Sequence, residues 1–227
     1  MKIRVNQTLF KEPYMTKRLI VGIAGASGVI YGVRMLEVLK NRGIETHLII
    51  SEAGKLNIKI ETDYDVEDVL AMADVTYTNK DIAASVASGS FQTMGMVVAP
   101  CTVKTLSGIA NSYNENLLIR AADVQLKEKR KLALMFRETP LHVGHLRLLT
   151  LAAEMGAHIV PPVPAFYHHP KTIDDIINQS VGKVLDYMGI EHDLFKRWDN
   201  FELEKLSDSS PSGKHCAANN KVCLIKA

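Results

Sequence analysis

RLIVGIAGASGVIYGVRMLEVLKNRG, residues 18–43, decides the fold. Arg18 to Ala24 is a short apolar run and reads as a strand. Gly22, Gly25 and Gly28 follow at three-residue intervals, and Val29 to Asn41 then carries helical periodicity up to a stop at Gly43. A buried strand, a glycine turn and a helix form the first half of a βαβ unit.

Outward from this stretch the alternation continues. Thr46 to Ile50 reads as a second strand. Asp65, with Asp68 at the capping-box position, is expected to cap a short helix starting at Val66. Met96 to Ala99 reads as a buried strand ended by Pro100, with helices over 103–110 and 116–130 and a strand from Lys131 to Phe136. His142 to Met155 is amphipathic, and His158 to Val160 starts another strand. Thr172, Asp175 three residues on and Gly189 bracket a last helix. Apolar strands separated by helices imply an α/β fold with a mostly parallel sheet covered on both faces. Ligands bind beyond the carboxyl ends of such strands. That rule selects Gly25–Gly28, Ser51, Pro100–Thr105 and Arg137–Glu138.

Bulk properties narrow the classes. With 227 residues, 47% of them hydrophobic, the chain can bury a core without staples. A net charge of +2 offers no basic stripe for nucleic acid, and no run of 18 apolar residues suggests a membrane span. The first 17 residues lack the apolar segment of a signal peptide. Three cysteines without framework spacing fit a reducing cytoplasm. The expected organisation is an N-terminal extension (1–16), a working domain (17–198) and a polar, flexible tail (199–227). Cys216 and Cys223 in the tail lack the spacing of a zinc pair, and the scattered histidines resemble no metal arrangement, so no metal is assigned.

Five clusters hold chemistry-bearing residues, each with a plainer structural reading beside it. The Gly25-Ala26-Ser27-Gly28 turn offers backbone N–H groups and a hydroxyl to an anion, or simply packs helix on strand. Its spacing is not the dinucleotide pattern. Ser88-Gly89-Ser90 and Thr102-Val103-Lys104-Thr105 either cap helices or hold a ligand. Arg120, Asp123 and Lys127 share one helix face, as an ion-pair ladder or a cationic lining for phosphate. Arg137-Glu138 leaves an apolar strand where sites are built. In PPVPAFYHHP (161–170) the prolines hold Phe166 and Tyr167 over a pocket or into the core. Cys101 reads as a small buried residue without a partner base.

Taken in order, GIAGASGVIYGVRMLE (22–37), LIISEAG (48–54), ETD (61–63), ASGSFQTMGMVVAPCTVKTLSGIA (87–110), NLLIRAADVQLKEKRKL (116–132), RETPL (137–141), HLRLLTLAAEMGA (145–157), PPVPAFYHHP and Arg197-Trp198 resemble the UbiX flavin prenyltransferase family, which includes the associated proteins of phenolic acid decarboxylase operons. The resemblance implies a flavodoxin-like, Rossmann-like three-layer sandwich and a homododecamer. It implies FMN on Gly25, Ala26, Ser27, Ser51, Thr102, Val103, Lys104, Thr105 and Arg120. It implies a dimethylallyl phosphate site of Lys127, Arg137, Glu138, Tyr167 and Lys183, with Glu61 as a further active-site acid. Lys183 stands where many members carry arginine, keeping the charge without the planar fork. Ile82 stands where some members carry tryptophan.

The implied reaction joins a dimethylallyl group to N5 and C6 of reduced FMN without a metal. The prenylated FMN passes to a UbiD-type decarboxylase in ubiquinone synthesis or aromatic acid breakdown. Lys127, Arg137, Lys183 and Tyr167 are expected to stabilise the departing phosphate, Glu138 to relay the C6 proton, Ser27 to orient the flavin near N5, and Phe166 to exclude water. Two other readings are a flavin carrier or assembly subunit for a decarboxylase, and an FMN-dependent cysteine-type decarboxylase. The second lacks its PASANT stretch here, where Ala99-Pro-Cys-Thr-Val-Lys-Thr stands.

Overall fold

The computed structural model describes residues 17–40 and 42–197; Asn41, Trp198, the expected extension and the expected tail with Cys216 and Cys223 lie outside the described residues. Strands β1 (Arg18–Ile23), β2 (Glu45–Ile50), β3 (Val75–Thr78), β4 (Gly95–Cys101), β5 (Lys131–Phe136) and β6 (His158–Ile159) form one sheet in the order β3-β2-β1-β4-β5-β6. Every pairing is parallel. Helices α1 (Ile30–Leu39), α2 (Glu52–Glu61), α3 (Val66–Ala71), α4 (Val103–Ala110), α5 (Leu117–Lys127), α6 (Val143–Glu154) and α7 (Ile173–Met188) provide the connections.

The period of two along β1 builds the two cores. Leu19, Val21 and Ile23 point to one face, where Val33 and Leu36 of α1 and Val181 and Leu185 of α7 cover them. Ile20 points to the other, beside Met96 and Val98 of β4, under Leu106 and Ile109 of α4 and Leu118 and Ala122 of α5. Both faces are buried, so the strands read as continuous apolar runs rather than alternations. Chain order runs outward in both directions from β1 and β4, which makes their junction the switch point of the sheet.

Several ends follow the expected chemistry. Thr172 accepts from the Asp175 N–H at 3.1 Å while the Asp175 carboxylate accepts from the Thr172 N–H at 2.9 Å. Gly189 closes the same helix with φ 77°.

Other expectations need correction. Asp65 makes no side-chain capping bond; α3 begins there without one. Pro100 does not end its strand: β4 continues to Cys101, with a register irregularity between Val98 and Cys101 that accommodates a residue lacking an N–H. Helix α5 covers less than 116–130. Asn116 is its cap, accepting from the Ile119 N–H at 3.1 Å. At its other end Lys129 turns left-handed, with φ 55°, and Arg130 N–H bonds back to Gln125.

Helix α2 and strand β3 were not legible. Helix α2 carries Gly54 and leaves Leu56 and Ile60 exposed, which blurs its period, and β3 is four residues long and half-exposed. Among the described residues no helix is long and apolar enough to cross a membrane.

Candidate flavin and phosphate site

The carboxyl ends of β1, β2 and β4 open onto a cleft of about 510 Å³. Gly25, Ser51, Thr102, Lys104 and Thr105 line it, so three of the four segments selected from strand order converge. Ala24, Leu118 and Ile119 add apolar wall. Asn79, Lys80 and Glu115 also line it, although sequence reasoning missed them. Asn79 follows the overlooked β3, and its side chain accepts from the Leu118 N–H at 2.9 Å, fastening that loop to the start of α5.

Two of the hydroxyls cap helices, whereas Ser88 and Ser90 bond to each other at 2.9 Å, away from the cleft lining. Ser51 Oγ caps α2 by accepting from Gly54 N–H at 3.0 Å, and Thr102 Oγ1 caps α4 by accepting from Thr105 N–H at 3.0 Å. Both face the same cleft. Gly25 is required by close approach: a Cβ there would stand 2.3 Å from the Ala53 Cβ and 2.9 Å from its carbonyl carbon. Lys104 reaches across to Glu115 at 3.1 Å.

Glu61 changes the reading of the first motif. Its carboxylate accepts from Gly28 N–H at 2.7 Å and, more weakly, from Val29 N–H at 3.4 Å. The Gly28 N–H, one of those expected to be open to an anion, is therefore satisfied by the last residue of α2. Ser27 stays exposed at the apex of the turn; Ala26 is half-buried beside it.

Arg120 stands on the first turn of α5, at the cleft end of that helix. Its guanidinium donates to the Ala87 carbonyl at 3.2 Å and pairs with Asp123 at 2.9 Å. The expected ladder stops there, because Lys127 turns to Glu128 instead, and that pair lies against Gly89. The Lys127 ammonium holds the exposed Glu128 carboxyl below its usual range.

Arg137 and Glu138 leave the end of β5 outside the cleft. The Arg137 N–H donates to Cys101 O at 3.1 Å, and Glu138 accepts from the Thr139 N–H at 3.0 Å. Burial pushes the Tyr31 hydroxyl up, and the positive charge of Arg137 pulls against it, which places Arg137 near the α1–α7 seam. Lys183 is exposed on α7. Tyr167 is half-buried with its ring edge-on to His168 at 5.4 Å. Phe166, expected to shield the site, is 68% exposed in the single chain. Burial pushes the Cys101 thiol far up, as suits a small core residue.

One chain does not gather the expected cations. Lys127 ends α5 just before β5 begins, whereas Arg137 follows the last residue of β5. Six strand residues at ~3.3 Å each put about 20 Å between these levels. Leu141, Val143 and Leu146, soon after Arg137–Glu138 in the chain, and Val163 and Phe166, shortly before Tyr167, are exposed apolar side chains. Among the described residues, no group of three His, Cys, Asp or Glu side chains is arranged to hold a metal ion.

Residues 9–185 match the family model described as Flavoprotein. "Flavin prenyltransferase UbiX" of Escherichia coli (strain K12) is 62% identical over 185 residues, covering 80% of this chain and 98% of that one. A solved structure of AnUbiX (PadA1) in complex with FMN and dimethylallyl pyrophosphate superposes with a TM-score of 0.81 at 44% identity, over 82% of this chain and 99% of that one. A dodecameric FMN-dependent UbiX-like decarboxylase from Escherichia coli O157:H7 gives a TM-score of 0.79 at 48% identity, over 81% and 100%. The cysteine decarboxylase TvaF, at 16% identity and a TM-score of 0.55, shares the fold alone.

Proposed function

Because the chain belongs to the flavin prenyltransferase family typified by UbiX, we propose that it transfers a dimethylallyl group from dimethylallyl phosphate to reduced FMN, giving prenylated FMN for a UbiD-type decarboxylase. The observation that carries this reading is the cleft at the β1–β4 switch point, where helix-capping hydroxyls, a lysine and an apolar wall meet a turn with no room for a Cβ at Gly25. These residues fit a flavin mononucleotide: Ser51, Thr102 and Thr105 offer hydroxyls, Lys104 a charge, and Ala24, Leu118 and Ile119 a flat apolar contact. Bound reduced FMN supplies the nucleophilic positions N5 and C6.

The protein's own part is positioning and charge. Ser27, at the apex of a turn that Glu61 anchors, orients the flavin near N5. Arg120 holds FMN. Lys127, Arg137, Lys183 and Tyr167 stabilise negative charge as the phosphate departs. Glu138 takes up the C6 proton. The distance between Lys127 and Arg137 along one chain supports a single site that draws on more than one copy. A dodecamer, as in the UbiX-like relative, meets that need and would cover exposed apolar side chains such as Leu141 and Phe166, which lie close in sequence to Arg137 and Tyr167.

The test is anaerobic incubation of the protein with reduced FMN and dimethylallyl phosphate, followed by mass spectrometry of the flavin. A flavin heavier by one prenyl unit is expected. Recovery of unmodified FMN alone would make the chain a carrier and overturn the assignment.

A further inference from the structure

A polar relay crosses the sheet on the α5 side and has no part in the chemistry above. His47 of β2 is almost completely buried. Its Nε2 lies 2.8 Å from Glu45 Oε1, which also accepts from Arg18 Nε at 3.1 Å. Its Nδ1 lies 2.9 Å from the Tyr77 hydroxyl of β3, and that hydroxyl lies 2.9 Å from Ser85 Oγ.

The network fixes the direction of the bonds. Burial raises Glu45, but hydrogen bonds from His47 and Arg18 outweigh it, so the group is a carboxylate and only accepts. His47 therefore donates from Nε2. Burial also holds its imidazole below the ordinary histidine value, so at neutral pH Nδ1 is an acceptor. Tyr77 O–H donates to Nδ1, and Ser85 O–H donates to Tyr77.

The far end of the relay meets the site. Ser85 opens a single 3-10 turn, Ser85–Ala87, and the Ala87 carbonyl accepts the Arg120 Nε–H. His47 also holds the other end of this loop. Its ring stacks on Tyr77 with centroids 5.9 Å apart and meets the edge of Phe91 at 5.1 Å, while Arg18 lies over Phe91. Between these points Arg130 grips the Gly89 and Phe91 carbonyls at 2.6 and 2.7 Å.

We propose that His47 is a positioning residue for Arg120, acting through the Tyr77 and Ser85 hydroxyls and the Ser85–Ala87 turn. Buried Val86 seats the middle of the turn, and the relay fixes its exposed Ser85 end, so the two together set the place of the Ala87 carbonyl that orients the guanidinium. The inference rests on the reading that Arg120 holds FMN.

The experiment is an FMN titration, followed by flavin fluorescence, of the assembled full-length protein and of Tyr77→Phe. That variant keeps the ring stack and removes the link. The FMN Kd is expected to rise about fivefold, the factor carried by one lost neutral hydrogen bond. Ser85→Ala, which changes nothing in the core, should give the same rise. In an Arg120→Ala background Tyr77→Phe should add nothing, because both changes remove one coupled unit. Amide hydrogen exchange at Ala87 and Ser88 should quicken in both single variants. If the wild-type protein binds FMN while Tyr77→Phe and Ser85→Ala bind it equally well, the positioning role is wrong and the functional reading stands. An additive loss in the Arg120→Ala background also overturns the role. If the wild-type protein fails to bind FMN, the functional reading falls, and the inference with it.

Discussion

The Glu61 carboxylate accepts the Gly28 N–H at 2.7 Å, so the last residue of α2 anchors the turn before α1. A carboxylate at a helix N-terminus is favoured both by the hydrogen bond and by the helix dipole. Glu61→Ala is expected to cost about 1 kcal/mol. In a domain of this size that lowers Tm by roughly 2–4 °C. The loosened turn also carries Ser27, so FMN affinity should fall in the same variant. Thermal unfolding with and without FMN separates the two effects.

Lys127 and Arg137 give a sharper test, because the proposed site needs them from different copies. Lys127→Ala and Arg137→Ala should each abolish most prenyl transfer in pure form. When the two variants are dissociated, mixed and reassembled, activity should return, since some sites then combine an intact Lys127 with an intact Arg137. Mixing without dissociation should restore nothing. Failure of the reassembled mixture would place both residues in one copy's site.

Glu138 accepts from its neighbour's backbone, the Thr139 N–H at 3.0 Å, which leaves carboxylate oxygen capacity for a proton. Glu138→Gln keeps size and polarity but cannot take up that proton. FMN affinity should be unchanged, and prenylated FMN should form about 10²-fold more slowly, within the range for a lost general base. Single-turnover kinetics under anaerobic conditions reads this directly.

Asp74 ties β2 to the start of β3. Its carboxylate accepts the Thr46 N–H at 2.7 Å and the Thr46 hydroxyl at 2.9 Å. The Thr46 backbone bond is the main reason that its carboxyl sits below the ordinary value, against a smaller opposing effect of burial. A depressed folded value stabilises the fold above the unfolded aspartate value of about 4 and is lost as the pH falls toward the folded value. Asp74→Asn should therefore be less stable than wild type at neutral pH. The gap should close in acid, as followed by urea unfolding from neutral pH down to about pH 3, below the unfolded aspartate value.

The sheet and its ligand edge were legible because buried parallel strands announce themselves as apolar runs, and Thr172, Asp175 and Gly189 mark a helix by local chemistry alone. Most of what escaped depended on partners far away in sequence. Strand β3 pairs along one side only, so VTYT alternates weakly. That the Glu61 carboxylate reaches Gly28 across 33 positions is written nowhere in ETD. Lys127 looked like part of the Arg120–Asp123 ladder, but the nearer Glu128 captures it. His47 gave no signal at all, since a histidine inside a strand acquires its role only from the neighbours that the sheet supplies.

Cys101 is the last residue of β4, fully enclosed, with a thiol whose acidity burial has suppressed. Sulfur attacks electrophiles as thiolate. An enzyme that generates a hot alkylating fragment must keep its own nucleophiles from being modified first, and at neutral pH this sulfur holds its proton and stays out of reach. Intact-protein mass spectrometry after repeated turnover should accordingly find Cys101 free of prenyl adducts, and iodoacetamide should label it only once the chain unfolds.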